Sequence, residues 1–282
     1  NDDRYNAVKE LNEEKGMAVE ELCKAIHISK SGYYKWLGRD IPETERDNIR
    51  VAKEIKVIHD EDNALGYRRI WEVLLRDKGI KVNAKRVLRI CRFLGIKSFV
   101  KHNPHGCTKA DKDPKHIEEN ILNRDFTAES PNEKWLTDVT EFRYYVNGIK
   151  HKLYLSAILD LYDKRIVAYT MGDRNNNELV FSNFDIAVGR YPDAHPLFHS
   201  DRGFQYTGKA FHSKIESTGM THSMSRVGKC LDNAPMEGFW GILKRERYYL
   251  HRYTSRQSLV DMITSYIEYY NERRYQRKLG IL

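Results

Sequence analysis

Apolar residues recur every three to four positions through the first third of the chain, the period of a helix buried along one face. Val8 and Leu11, then Val19, Leu22 and Ile26, predict short helices over residues 5–37. Ile28 to Leu37 opens on a turn with a serine cap, Ser29, and runs into an aromatic helix. That is the grammar of a helix-turn-helix, and equally of a small bundle whose core is Tyr33, Tyr34 and Trp36. A second helical unit begins at Asn48, with Ile49, Ala52, Ile55 and Ile58 on one stripe. It continues through Gly66-Tyr67-Arg68-Arg69-Ile70-Trp71 and a helix from Asn83 to Leu94, stopped by Gly95.

The period changes after Pro131. Lys134–Val146 is rich in β-branched and aromatic residues, Asn147-Gly148 is a strong hairpin turn, and His151–Leu161 reads as the returning strand. Ile166–Met171 follows as a third strand. Helix Asn176–Val188, strand Pro196–His199, helix Thr207–Ser217, strand Met220–Met224 and a long helix Asn233–Leu250 complete the series. A meander followed by alternating helices and strands predicts an α/β domain built on a mixed five-stranded sheet. Between the two halves, 102–115 has Pro, Gly and charge without periodicity, a linker.

Composition narrows the function classes. The chain has 282 residues, 48 Lys and Arg against 40 Asp and Glu, and a net charge of +8. The excess sits in one place: Ala64–Lys101 holds eleven basic residues against Glu72 and Asp77. Such a run is either a solvated helix face or a surface that displaces counterions from nucleic acid. The longest apolar runs, such as Leu153–Leu159, are strand-sized, which predicts no membrane span. Asn1–Glu14 is polar and mixed in charge, without the basic and apolar run of a secretory signal, and Asn1 in place of Met reads as a fragment boundary that leaves a removed signal open. Cys23, Cys91, Cys107 and Cys230 form no Cys-x-x-Cys pair, so neither a disulfide framework nor a cysteine-rich zinc site is expected and a cytoplasmic location is the default. His102, His105, Cys107 and His116 lie in the linker without a second paired cluster, a solvated loop more than a zinc site.

Three acids stand out by their surroundings. Asp138 lies inside the first strand among apolar and β-branched neighbours, where an acid is costly unless it is paired or binds a cation. Asp201 follows the fourth strand, before Gly203. Glu237 falls in the first turn of the last helix, after Asp232 or Asn233 as cap and Pro235 at an early position. Singly they read as a surface acid, a turn former and a helix-dipole partner. Together they are hard oxygen donors of the kind that hold Mg²⁺ alongside substrate phosphates, and paired ions serve phosphodiester chemistry. Lys244, two helical turns beyond Glu237 on the same face, suits a DNA phosphate or a plain surface position. Asp163 reads as a turn residue and Asp160 as a supporting acid. His199 and Ser200 are adjacent, yet no nucleophile elbow surrounds them, and glycine-rich nucleotide loops are absent.

These words resemble a known family. Trp135-x-x-Asp138-x-Thr140, His199-Ser200-Asp201-Arg202-Gly203-x-Gln205-Tyr206, Ser223-Met224-Ser225-Arg226-x-Gly228, Asp232-Asn233-Ala234-x-x-Glu237 and Lys244 are similar to the catalytic core of bacterial insertion-sequence transposases of the retroviral-integrase type. Thirty-five residues separate Asp201 from Glu237, as in that family. Ser29–Trp36 and Gly66–Ile70 resemble the amino-terminal region of its second-reading-frame (orfB-type) proteins. The resemblance implies a ribonuclease-H-like core, in which Asp138, Asp201 and Glu237 bind two Mg²⁺ or Mn²⁺. It implies 3′-end cleavage and strand transfer at terminal inverted repeats, with Lys244 on the terminal DNA. The basic region, with Arg68, Arg69, Lys85, Arg86 and Arg89, is the implied binder of the repeats. A homo-multimer, an upstream-frame partner and a nucleoid-associated protein of the bacterial cytoplasm are also implied. Gly238 and Trp240 depart from the Ser and Phe more usual after the glutamate, and the relatives' Pro-containing tail is missing after Leu282. The resulting division is a helix-turn-helix-like 1–46, a basic helical DNA-binding region 47–101, a linker 102–130 and a catalytic core with C-terminal helices, 131–282. Two other functions share these features: a catalytically silent DNA-binding remnant or regulator of the element, and a ribonuclease-H-like nuclease that hydrolyses without joining.

Overall fold

The computed structural model describes residues 2–40, 42–98, 117–274 and 276, and of Cys230 its backbone alone. The linker residues His102, His105, Cys107 and His116 lie outside the described residues, as does Lys101.

The first third is helical. Helices α1 (Asp2–Lys15), α2 (Val19–Ala25) and α3 (Lys30–Leu37) close around Val8, Leu22, Cys23 and Tyr33. Of the aromatic trio, Tyr33 is core, Trp36 packs against it, and Tyr34 is half exposed. Ser29 caps α3 as expected, its Oγ accepting from the Gly32 amide at 3.0 Å. His27, at φ 55°, supplies the left-handed residue that turns the chain between α2 and α3. Helices α4 (Glu43–Glu61), α5 (Tyr67–Arg76) and α6 (Ala84–Phe93) enclose a separate core of Val51, Ile55, Ile58, Ile70, Leu74, Val87, Ile90 and Cys91. Asn83 caps α6 through the Lys85 amide, and Gly95 at φ 68° ends it.

The rest is an α/β domain. Strands β1 (Lys134–Val146), β2 (Ile149–Asp160), β3 (Ile166–Gly172), β4 (Leu197–Ser200) and β5 (Thr221–Met224) form one sheet in the order β3-β2-β1-β4-β5. The first three are antiparallel neighbours, while β1–β4 and β4–β5 are parallel. Helices α7 (Asn177–Arg190) and α8 (Lys209–Ser217) cover one face with Trp135, Phe184, Phe198 and Phe211 at its core. Helices α9 (Ala234–Glu246) and α10 (Arg256–Glu272) cover the other with Leu136, Phe142, Phe239, Leu243 and Ile263. This is the mixed, helix-flanked sheet of the ribonuclease-H-like expectation.

The sequence predicts a helix from Asn233 to Leu250, but α9 stops at Glu246. Arg247 leaves helical geometry at φ −134° and sends its guanidinium to Asp62, and Tyr248–Leu250 form a short 3₁₀ turn. The C-terminal helices expected of the core, without predicted bounds, include α10, whose Leu259, Ile263, Tyr266, Ile267 and Tyr270 are spaced for one buried helical face behind the Ser255 cap.

Candidate active site

Strand register brings two of the acids together. Lys134, Trp135 and Leu136 pair with Leu197, Phe198 and His199, and extending that register by two residues sets Asp138 beside Asp201. Neighbouring strands lie about 4.8 Å apart. Because β4 ends at Ser200 and its parallel neighbour β5 at Met224 while β1 runs on to Val146, the two acids lie at the carboxyl end of parallel strands, where α/β sheets leave room for ligands.

Both carboxylates are half-buried and restrained. Asp138 Oδ1 accepts from its neighbour's amide, Val139, at 2.8 Å, and Oδ2 from the Trp240 indole at 3.0 Å. Asp201 Oδ1 accepts from the Gly203 amide at 2.9 Å. A Cβ at 203 would come to 3.0 Å from Asp201 Oδ1 and 2.9 Å from Gln205 Oε1, so a side chain there would displace the carboxylate or the amide. Burial, then the Asp201 charge, pushes the Asp138 carboxyl well above the usual carboxylate range; Glu237 adds to the rise and the Trp240 and Val139 bonds oppose it. Burial raises Asp201 as well. Beneath them the Tyr206 hydroxyl shares a 3.2 Å hydrogen bond with Thr137, and burial together with both carboxylates holds its proton on.

Glu237 stands apart, exposed on the first turn of α9, though near enough for its charge to raise Asp138. Among the described residues no three His, Cys, Asp or Glu side chains form a close ligand cluster. The donors fit a hard divalent cation in kind: carboxylate oxygens whose mutual repulsion a cation would relieve, with no sulfur among them.

Helix α9 is tied to β1 on either side of Asp138. Asn233 Nδ2 donates to the Thr137 carbonyl at 3.1 Å, Trp240 to Asp138, and Lys244 Nζ to Thr140 Oγ1 at 2.6 Å. Neither Asp232 nor Asn233 acts as the expected side-chain cap. Asn233 is spent on β1, and Asp232, wholly buried, accepts from Arg226, Arg124 and Asn120. Lys244 is half-buried over the Phe142 ring, and burial lowers its pKa against the pull of Asp138 and Glu141.

Three family models match: an integrase core domain over residues 128–230, an HTH-like domain over 45–103, and a second integrase core domain over 218–282. InsK of Escherichia coli (strain K12), named as a transposase for insertion sequence element IS150, is 38% identical over 93% of this chain and 90% of its own length. The chain belongs to the insertion-sequence transposases. A transposase for element IS904 of Lactococcus lactis is 32% identical over 79% of this chain and 87% of its own. Among solved structures, the HTLV-2 integrase catalytic core domain in complex with magnesium is 20% identical, with a TM-score of 0.42, over 53% of this chain and 92% of that one.

Other expected residues of the transposase fall away from this cleft. Asp160, read as a supporting acid, is buried at the far end of β2, where it accepts from the Asn132 and Tyr162 amides and staples a turn. Asp163 is a turn residue, bonded to the Arg165 amide. His199 and Ser200 serve the sheet. The His199 ring is bonded to Ser223 and Ser225, and burial drops its pKa to about 4, so it stays neutral; Ser200 bonds His222. The basic candidates divide: Arg68, Lys85 and Arg89 are exposed, whereas Arg86 is paired with Asp47 at 2.8 Å and Arg69 with Glu246 at 3.4 Å. Sequence reasoning missed the roles of Trp240 and Asp232. The signal available was Trp240 at three residues from Glu237, and so on its face of the helix.

Among the described residues no helix is long and apolar enough to cross a membrane.

Proposed function

We propose that this transposase cleaves the 3′ ends of its insertion sequence at the terminal inverted repeats and joins them to target DNA, using Mg²⁺ or Mn²⁺ held by Asp138, Asp201 and Glu237. The observation that carries the reading is the register that sets Asp138, within β1, beside Asp201 at the carboxyl end of β4. Bound there, two divalent cations would activate the attacking oxygen and stabilise the leaving one.

The chain's own residues orient and bind. The Val139 and Gly203 amides fix the two aspartates, and the Tyr206 hydroxyl is bonded to Thr137, the neighbour of Asp138 on β1. Lys244, which in the free protein is bonded to Thr140, would hold a phosphate of the terminal strand. Arg68, Lys85 and Arg89 offer exposed charge to the inverted repeats, with Arg69 and Arg86 shaping that surface from within their ion pairs. A homo-multimer pairing two element ends, together with an upstream-frame partner, belongs to this proposal.

The test is strand joining, with purified chain, Mn²⁺ or Mg²⁺, and labelled duplexes carrying the repeat with a free 3′-hydroxyl. Products longer than the input are expected, and Asp201→Asn should abolish them while still binding DNA. Shortened products alone would point to a hydrolytic nuclease, and binding without either reaction to a silent DNA-binding protein.

A further inference from the structure

We propose that Trp240 is a positioning residue for the metal-binding carboxylate of Asp138: its indole N–H holds Oδ2 so that the carboxylate presents its remaining lone pairs towards Asp201. This rests on the function proposed above.

Both oxygens of Asp138 carry one hydrogen bond each, Oδ1 from the Val139 amide and Oδ2 from Trp240. The amide comes with the strand, but the indole comes from a different element. It therefore sets the carboxylate plane against α9, the helix that also carries Glu237. Trp240 is itself 6% exposed and packed on Phe239 at 5.0 Å between ring centroids, so it has little freedom to drift. The bonds from Asn233 to Thr137 and from Lys244 to Thr140 flank it and fix the helix over the strand. A buried donor aimed at a carboxylate favours its charged form, offsetting in part what burial and the neighbouring acids do. Partners that orient metal ligands affect metal affinity or activity by about 10–100-fold when removed. An indole buried only for packing would be replaced by phenylalanine without such an effect.

Trp240→Phe separates the two roles, because it keeps an aromatic ring and removes the N–H. The chain has four tryptophans, so 5-fluorotryptophan labelling yields a countable ¹⁹F spectrum in which the Trp240 line is the one lost in Trp240→Phe. In the wild type that line should shift on titration with Mg²⁺ and broaden with Mn²⁺, and Asp138→Asn should abolish both responses. Trp240→Phe should melt close to the wild type, bind Mn²⁺ about tenfold more weakly by calorimetry, and join strands at raised metal concentration. Unchanged Mn²⁺ affinity and metal dependence in Trp240→Phe, with an active wild type, would overturn the positioning role and leave the proposed function standing. A wild type that binds no metal and joins no ends would overturn both.

Discussion

At the scale of single residues, the cleft depends on polar side chains satisfied in unequal ways. Asp232 is the clearest case. Its carboxylate is fully covered yet accepts from two arginines, an asparagine and the Arg226 amide. The Arg226 hydrogen bonds, larger than the opposing effect of burial, hold it below the usual carboxylate range. Its folded pKa lies under its unfolded one, so the stability it supplies is complete above about pH 4 and is lost as pH falls through the folded value. Asp232→Asn should therefore cost about 1.5–3 kcal/mol near neutrality, the worth of hydrogen bonds to a charged group. In thermal melts from pH 7 down to pH 2, the gap between variant and wild type should narrow with acid; a constant gap would refute the linkage. His199 contributes nothing of this kind at neutral pH, because burial keeps it uncharged between two serines.

At the scale of elements, α6 and α9 show how one helix face can be committed while another stays free. Helix α6 buries Val87, Ile90 and Cys91, and its polar side then divides. Arg86 reaches back to Asp47 and Asn48 on α4, whereas Lys85 and Arg89 are exposed. Lys85→Ala and Arg89→Ala should each lower the slope of log K against log salt for repeat DNA by about 0.9, one phosphate contact apiece. Arg86→Ala should lower the melting temperature more than it lowers that slope. Measuring binding at four salt concentrations beside a melt decides the matter, and equal slope losses at all three positions would overturn the division. Helix α9 turns its buried residues Met236, Phe239, Trp240 and Leu243 to the sheet while Glu237 stays at the rim. The cleft is thus assembled by packing a helix across β1, not by the strands alone.

At the scale of the whole molecule, the α4–α6 unit meets the α/β domain through charge. Arg247 donates to Asp62 at 3.0 Å, and Arg69 reaches Glu246 at 3.4 Å. Glu246 in turn is gripped by Arg274 and by the Tyr266 hydroxyl. Asp62→Arg puts like charges in that contact and should loosen it, raising the radius of gyration in small-angle scattering. Adding Arg247→Asp should restore the compact value, and a radius indifferent to both changes would show that the ion pair does not hold the units together. Partly buried pairs are screened much less than exposed charges, so the contact is expected to survive ionic strengths at which DNA binding is lost.

Periodicity and short words were enough for most of the elements and for singling out the acids of the proposed site. The meander, its Asn147-Gly148 turn, the caps at Ser29 and Asn83 and the stop at Gly95 are local, set by residues within a few positions of one another, and so are readable along the chain. Asp138, Asp201 and Glu237 were legible for the same reason, as acids in places where a carboxylate needs an explanation. Tertiary structure alone decided which of them meet. The parallel register of β1 on β4 puts Asp138 beside Asp201, while the packing of α9 leaves Glu237 exposed and brings the Trp240 indole to Asp138. It likewise took Arg69 and Arg86 out of the free charge by placing Glu246 and Asp47 against them. Hydrogen bonds and ion pairs between residues a hundred positions apart leave no periodic trace, because their geometry exists only once the sheet and its helices have packed.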